Sequence, residues 1–353
     1  MQRHPHGRLL VGFDGTSVPR WLRELVAVAP PAGVVLFARN IEDTPQLLAL
    51  MAELRALWPA GGPPPLVAVD QEGGAVQRLK PPRCPEFPAI PPMRAAAALG
   101  PTGLAHLGRA MGELLASFGF NVNFAPVLDV DSNVDNPIIG PRAFGPTPEA
   151  VIAAALPFAA GLAAAGILAC GKHFPGHGDT DVDSHLALPR LAHSRSRLEA
   201  VELAPFRAAV TEGLPMLMTA HIVFEALDPE LPATLSPWVV PELLRRDLGY
   251  DGAVISDDLE MAAIADRFSA DEVARGCLAA DVDLLLVCRD LEGAGALADA
   301  LARHESPSQA ARAHARIDAL RAQARDHAAT PTRPGLGQVA ALADLLATLP
   351  DPP

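Results

Sequence analysis

The chain has 353 residues, half of them hydrophobic and 20% charged, with a formal net charge of −13. That is material for one large domain or two ordinary ones, and an acidic chain with no basic block is a poor partner for nucleic acid or an anionic membrane surface. The N-terminal MQRHPHGRLL carries no apolar leader and no stretch is apolar for long enough to span a bilayer, so a cytoplasmic location is expected.

Short apolar runs recur along the chain: RLLVGF (8–13), GVVLFAR (33–39), PLVAVDQE (65–72), NVNFAPVLDV (121–130), GILACGKH (166–173), PMLMTAHI (215–222), GAVISDDL (252–259) and DLLLVC (283–288). Each is too short for an ordinary helix and rich in Val, Ile and Leu, as strands covered on both faces are. The segments between them read as helices. TPQLLALMAELRALW sets its leucines at helical spacing, with Thr44 expected as its N-cap. Eight strands alternating with helices predict a (β/α)8 barrel, an α/β fold in a single domain over residues 1–328, with 329–353 as a loosely packed or frayed tail. The rival, a doubly wound open sheet, lacks its usual mark, since no GxGxxG or GxxxxGK[ST] follows a strand. Asp70, Asp129, Lys172, His173, His221 and Asp257 all fall at or just past the end of an apolar run, and a barrel gathers those ends on one face. Cys170, Cys277 and Cys288 lie in apolar stretches, and with Cys84 far from them they predict buried thiols rather than a disulfide frame.

The densest polar stretch is KHFPGHGDTDVDSH (172–185), which cannot continue as regular structure past Pro175, Gly176 and Gly178. Its histidines are spaced across a Gly- and Pro-broken segment, which suits a metal site badly, and no metal is expected. In Asp183-Ser184-His185 the acid and the imidazole project to one side of an extended segment, where a carboxylate raises the histidine's pKa and fixes its tautomer. Those are the properties of a general acid near neutral pH. On this triplet alone, an idle surface histidine is the stronger reading. Of 28 basic residues only Lys80 and Lys172 are lysines, which hints that an amine is needed at 172. In GAVISDDLEM, Asp257 is expected to face the barrel mouth and Asp258 to support the next helix start, although both could simply cap that helix. DQEGGAVQRL puts Arg78 eight residues after Asp70, a carboxylate and a guanidinium that could share a sugar's hydroxyls. DNPIIGPRAFG places Arg142 in a loop of turn formers.

Together, DQEGGAVQRL, NVNFAPVLDVDSN…NPIIGPRAFG, KHFPGHGDTDVDSH and ISDDLEM resemble glycoside hydrolase family 3, and within it the single-domain β-N-acetylhexosaminidases of the NagZ type. The resemblance runs from the first strand through DLLLVC. It implies Asp257 as nucleophile, His185 as acid/base and Asp183 as the residue that orients and tunes His185. By the same resemblance Lys172 and His173 grip the terminal sugar, and Asp70, Arg78 and Arg142 complete its binding site. It further implies a retaining exo-β-N-acetylglucosaminidase that acts on N-acetylglucosaminyl-1,6-anhydro-muramyl peptides or chitooligosaccharide-like sugars. Such an enzyme would serve peptidoglycan recycling, and through it cell shape and division, without a cofactor. A monomer is expected, with a dimer left open. The alternatives are a family β-glucosidase or β-xylosidase, a metal-dependent hydrolase, or a silent sugar-binding barrel.

Overall fold

The computed structural model describes residues 4–58, 62–184, 186–324 and 331–350. Its frame is eight parallel strands: β1 (Leu9–Val11), β2 (Gly33–Leu36), β3 (Leu66–Val69), β4 (Val122–Asn123), β5 (Leu168–Phe174), β6 (Met216–Thr219), β7 (Ala253–Ile255) and β8 (Leu285–Val287). Each lies inside one of the eight apolar runs, except that β5 continues one residue beyond its run to Phe174. They pair in the order β7-β6-β5-β4-β3-β2-β1-β8, and a parallel bridge between Ile255 and Leu284 joins the two ends. The sheet therefore rounds into the barrel that the alternation predicts. The main helix after each strand is α1 (Arg20–Val28), α2 (Thr44–Leu57), α3 (Gly100–Phe118), α4 (Pro148–Ala164), α5 (Leu203–Thr211), α6 (Val239–Asp247), α7 (Ala270–Ala279) and α8 (Leu291–His304).

The uninterrupted hydrophobicity of the strands follows from burial on both faces. Leu9 and Val11, Val34 and Leu36, and Val67 and Val69 pack outward into the layer beneath the helices. Their alternates Leu10, Val35, Leu66 and Ala68 point inward to a second cluster with Met216, Met218, Ile255 and Leu286. A ninth helix, α9 (Pro307–Gln323), adds Ile317 and Leu320 to that interior cluster. Its Arg321 donates to the carbonyls of Pro31 and Ala32 just before β2, which lays the helix across the N-terminal end of the barrel.

One expected cap moves by a residue. Helix α2 is capped by Asp43, whose carboxylate accepts the Gln46 N–H at 2.8 Å. Thr44 is the first helical residue instead, and its hydroxyl donates to Glu86 at 2.5 Å. The four cysteines are free and buried. In the tail, α10 (Leu336–Leu346) lays the fully buried Leu342 in the outer hydrophobic layer, and Thr332 N–H donates to Ser117 O at 2.9 Å. Among the described residues no helix is long and apolar enough to cross a membrane.

Candidate active site

At the C-terminal mouth of the barrel a cavity of about 190 Å³ is floored by Phe124, Met218 and Leu286 and walled by polar side chains. The first wall comes from the loop after β3. Asp70 follows the strand directly, and its Oδ1 accepts Lys172 Nζ at 2.9 Å while Oδ2 accepts Arg78 Nη2 at 3.2 Å. Arg78 is placed by Gln71, whose Oε1 accepts the backbone N–H groups of Arg78 and Leu79 at 2.9 and 3.0 Å. Gln71 is in turn clamped by Asn123 of β4, which accepts its N–H and donates to its carbonyl. Glu72, 1% exposed, is gripped from two sides. Arg142 reaches it with Nε and Nη2, both at 2.9 Å, and Lys172 Nζ lies 2.5 Å from its Oε1. Two carboxylates, an ammonium and two guanidinium groups thus form one chain: Arg78–Asp70–Lys172–Glu72–Arg142.

The electrostatics follow from that chain. Burial alone would raise the carboxyl pKa of Asp70, but Lys172 and Arg78 outweigh it and hold the group below its ordinary value. The same contest holds the Glu72 carboxyl far below its ordinary 4.5, with Arg142 and Lys172 as the opposing cations. Burial pulls the Lys172 pKa down, yet Asp70 and Glu72 raise it overall, so the amine stays charged. Among the described residues, the buried Arg78 Nε meets no hydrogen-bond partner.

Strand β5 brings the second wall. Its register against β6 runs Gly171 to Leu217 and then Phe174 to Thr219, so β5 carries one extra residue at 172–173. Adjacent strand residues normally face opposite ways, but a bulge re-aims them, and Lys172 and His173 both line the cavity. The Lys172–His173 and Phe174–Pro175 peptide bonds are cis. His173 Nδ1 hydrogen-bonds Asp129 Oδ2 at 2.7 Å, and Asp129 Oδ1 also accepts the N–H groups of His173 and His177 at 3.1 and 2.7 Å. Asp129, fully buried, is the anchor where the loop leaves β5. Gly178 is required there, because a Cβ at that position would sit 1.7 Å from the carbonyl oxygen of Val130.

The third wall is the segment after β7. Strand pairing stops at Ile255, so Asp257 and Asp258 lie in the turn beyond it rather than on a strand. Both border the cavity. Burial raises the carboxyl pKa of Asp257, but His173, His221 and the Asp258 N–H, at 2.8 Å from Oδ1, together lower it below the ordinary value. Asp258 behaves in the opposite way. Burial, with Glu260 and Asp257 nearby, pushes its carboxyl up to about 6 although Oδ1 accepts the N–H groups of Glu260 and Cys288. These bonds hold the 257–260 turn to the end of β8, which gives Asp258 the supporting place expected for it, though on a turn rather than at the next helix start.

The structure thus brings Asp70, Arg78, Arg142, Lys172, His173 and Asp257 to one cavity. Asp183 lies on the loop above, with its carbonyl accepting Leu186 N–H at 2.9 Å, and His185 lies outside the described residues. Two important residues carried no assignment from the sequence. Glu72 had a visible signal, an acid two residues past a strand end, and Asp129 was a strand-end acid without a role. Their partners are remote in sequence: Glu72 meets Arg142 from 70 positions away, and Asp129 meets His173 from 44. His173 and His177 are committed to hydrogen bonds within the loop's own framework. Among the described residues, only Asp179, His193 and Glu202 approach closely enough to share an ion. That trio already pairs internally and with Arg197, through His193–Asp179 at 2.5 Å and Arg197–Glu202 at 3.1 Å.

A (β/α)8 barrel with a charged cavity at the C-terminal ends of its strands has the layout of a barrel enzyme. The chain matches the family described as "Glycosyl hydrolase family 3 N terminal domain" over residues 14–319. It is 43% identical over 298 residues to a β-hexosaminidase of Alkalilimnicola ehrlichii, covering 82% of this chain and 83% of that one. It also superposes on NagZ from Neisseria gonorrhoeae in complex with N-trifluoroacetyl-D-glucosamine, with a TM-score of 0.80, 32% identity and coverage of 98% and 99%. A family 3 β-N-acetylglucosaminidase from Paenibacillus gives a TM-score of 0.90 at 35% identity, covering 98% of this chain and 68% of that one. The chain belongs to glycosyl hydrolase family 3.

Proposed function

We propose that the chain is a retaining exo-β-N-acetylglucosaminidase that removes terminal β-linked N-acetylglucosamine, with residues 1–328 forming the catalytic domain and 329–353 a tail outside it. The observation that carries this reading is the cavity wall built by the linked charges of Asp70, Arg78, Lys172, Glu72 and Arg142. Each oxygen of Asp70 accepts one cation and keeps a lone pair for a sugar hydroxyl, while Lys172 and His173 face the same space. A cavity closed at its base admits a chain end rather than the middle of a polymer. The β-hexosaminidase relatives and the N-acyl glucosamine held by a structural neighbour support the 2-acetamido sugar.

In this reading Asp257, held ionised by its cationic surroundings, attacks the anomeric carbon as the bond to the leaving oxygen breaks, and His185 gives that oxygen its proton. A covalent glycosyl-enzyme results. His185, now neutral, takes a proton from water, whose oxygen displaces Asp257 and releases the sugar with its original configuration. Asp183 orients and tunes His185. A neutral base avoids setting a second anion beside Asp257. N-acetylglucosaminyl-1,6-anhydro-muramyl peptides from cell-wall turnover are the substrate we assign, with the cytoplasm as the place of action.

The test is a panel of p-nitrophenyl β-glycosides that differ only at C2, followed by NMR of the first sugar formed. The N-acetylglucosaminide should exceed the glucoside in kcat/KM by at least about 100-fold, since losing the apolar contact of the acetamido methyl alone is worth roughly that much. The first product should be the β-anomer. Equal turnover of the glucoside, or release of the α-anomer, would refute the assignment.

A further inference from the structure

We propose that Ser184 and His177 form a latch that seats the acid/base triplet, with Ser184 as a positioning residue for the proton transfer assigned to His185. The inference rests on that assignment. Ser184 is the chain neighbour of both Asp183 and His185, so a bond at Ser184 acts on the peptide units that lead to each. Ser184 is 2% exposed, as is His177, and its Oγ lies 3.0 Å from His177 Nε2. A buried serine inside an otherwise polar and partly exposed loop calls for a reason, and this bond supplies it.

The direction of the bond follows from its neighbours. Thr180 Oγ1 donates its hydrogen to the His177 carbonyl at 3.1 Å. That hydroxyl therefore has only acceptor capacity left for His177 Nδ1, 2.8 Å away, so Nδ1 carries the ring proton. Asn136, whose amide donates to Thr180 Oγ1 and to the His177 carbonyl at 3.3 and 2.9 Å, reinforces this arrangement. Nε2 is then the acceptor and Ser184 the donor. The imidazole is itself fixed at its backbone, since His177 N–H donates to Asp129 at 2.7 Å, on the same carboxyl group that holds His173. The sugar-facing His173 and the loop bearing the triplet thus share one buried anchor. The latch connects substrate contact and acid/base placement through Asp129, His177 and Ser184.

Ser184 and His177 border the cavity, but their polar side-chain atoms are engaged with each other and with Thr180, so loss of the latch should weaken proton transfer rather than abolish the reaction. The measurement is kcat/KM on aryl N-acetylglucosaminides spanning good leaving groups (2,4-dinitrophenol) to poor ones (p-methoxyphenol). Ser184→Ala should lose about tenfold more on the poor leaving groups than on the good ones, a part of the roughly 100-fold or greater effect of a full acid catalyst. Two variants at His177 separate position from simple loss of structure. His177→Gln puts an amide oxygen near the place of Nε2 and can keep the Ser184 bond. His177→Asn puts an amide nitrogen near the place of Nδ1 and keeps only the Thr180 bond. His177→Asn should follow Ser184→Ala, and His177→Gln should stay closer to the parent in leaving-group dependence. An even loss across leaving groups in Ser184→Ala and His177→Asn, or identical behaviour of the two His177 variants, overturns the latch. His185→Ala is measured alongside. If it shows the steep dependence and Ser184→Ala does not, only the latch fails; if it shows none, the acid/base assignment fails and takes the latch with it.

Discussion

Replacing Glu72 with Gln tests the organisation of the sugar site at its least exposed point. Glu72 is 1% exposed and takes three contacts from two cations, with Lys172 at 2.5 Å and Arg142 at 2.9 Å twice. Removing one partner of a buried ion pair costs about 3–5 kcal/mol. Gln keeps one acceptor oxygen but turns an NH2 group toward a cation, so a loss near about 3 kcal/mol is expected. At about 2 °C per kcal/mol for a domain of this size, the melting temperature should fall by about 6 °C. Lys172 and Arg142 would also lose their shared support, and kcat/KM on p-nitrophenyl N-acetylglucosaminide should drop by about 100-fold, the cost of a displacement on the order of 1 Å. The pH dependence has a definite sign. The folded Glu72 carboxyl lies below its ordinary 4.5, so its stabilisation is fully present above about pH 4.5 and is lost as pH falls toward the folded value. The stability gap between parent and variant should be widest near neutrality and narrow below about pH 4. A melting temperature within about 2 °C of the parent and activity within about threefold would show that Lys172 and Arg142 keep their places without Glu72.

Asp257→Ala should abolish turnover, and azide with an activated substrate should restore product as the α-glycosyl azide, the outcome of a single displacement at the emptied face; absence of rescue, or rescue in an Asp258 variant instead, would reverse the assignment. Lys172→Arg should cost at least about 10-fold in kcat/KM, because a planar fork does not fit between Asp70 and Glu72, while Arg at the exposed Lys80 should be silent; equal tolerance of both would deny Lys172 its role. Asp258 is held with a raised pKa of about 6, so the folded state binds its proton more readily and the parent loses stability as pH rises from the ordinary 3.8 through 6. Asp258→Asn keeps an acceptor without that charge, so chemical denaturation should show it gaining on the parent between about pH 4 and 6; a constant difference across that range would contradict the reading.

The barrel was legible because its signal is local. A parallel strand buried on both faces must be apolar at every position, and Leu9, Leu10 and Val11 show this directly: the outer layer takes two of them and the interior takes the third. Asp70 and Asp257 mark strand ends in the same way, since each closes a run that burial keeps apolar, whereas Lys172 lies within β5 and Asp129 six residues beyond β4. What could not be read was which of these groups meet. Lys172 reaches Asp70 across 102 residues, and nothing in either local stretch encodes that distance of 2.9 Å. The bulge at 172–173 was equally hidden, because it is a mismatch of register with β6 and not a property of β5 alone. The misplaced cap at Thr44 shows the opposite limit. Asp43 and Thr44 are both competent caps, and the hydroxyl of Thr44 was drawn off by Glu86, a residue 42 positions away.

The arrangement of these charges also explains why a sugar site should bury them at all. Buried ion pairs contribute little to stability when weighed against apolar packing of the same volume. The chain Arg78–Asp70–Lys172–Glu72–Arg142 is therefore poorly accounted for as a device for folding. It makes sense as fixed polarity. A sugar must give up its hydration on entering a cavity floored by Phe124, Met218 and Leu286, and only oriented charged partners can replace that water without reorganising as the reaction proceeds. Glu72 and Asp129 carry this burden one step removed from the ligand. Glu72 holds the cations that face the cavity, and Asp129 holds the histidine that faces it and the loop that follows. Their removal should therefore be felt in kcat as well as in KM. A binding module needs its ligand contacts alone, whereas a catalyst needs them held still while charge develops at the anomeric carbon, and it is the second requirement that these two buried carboxylates meet.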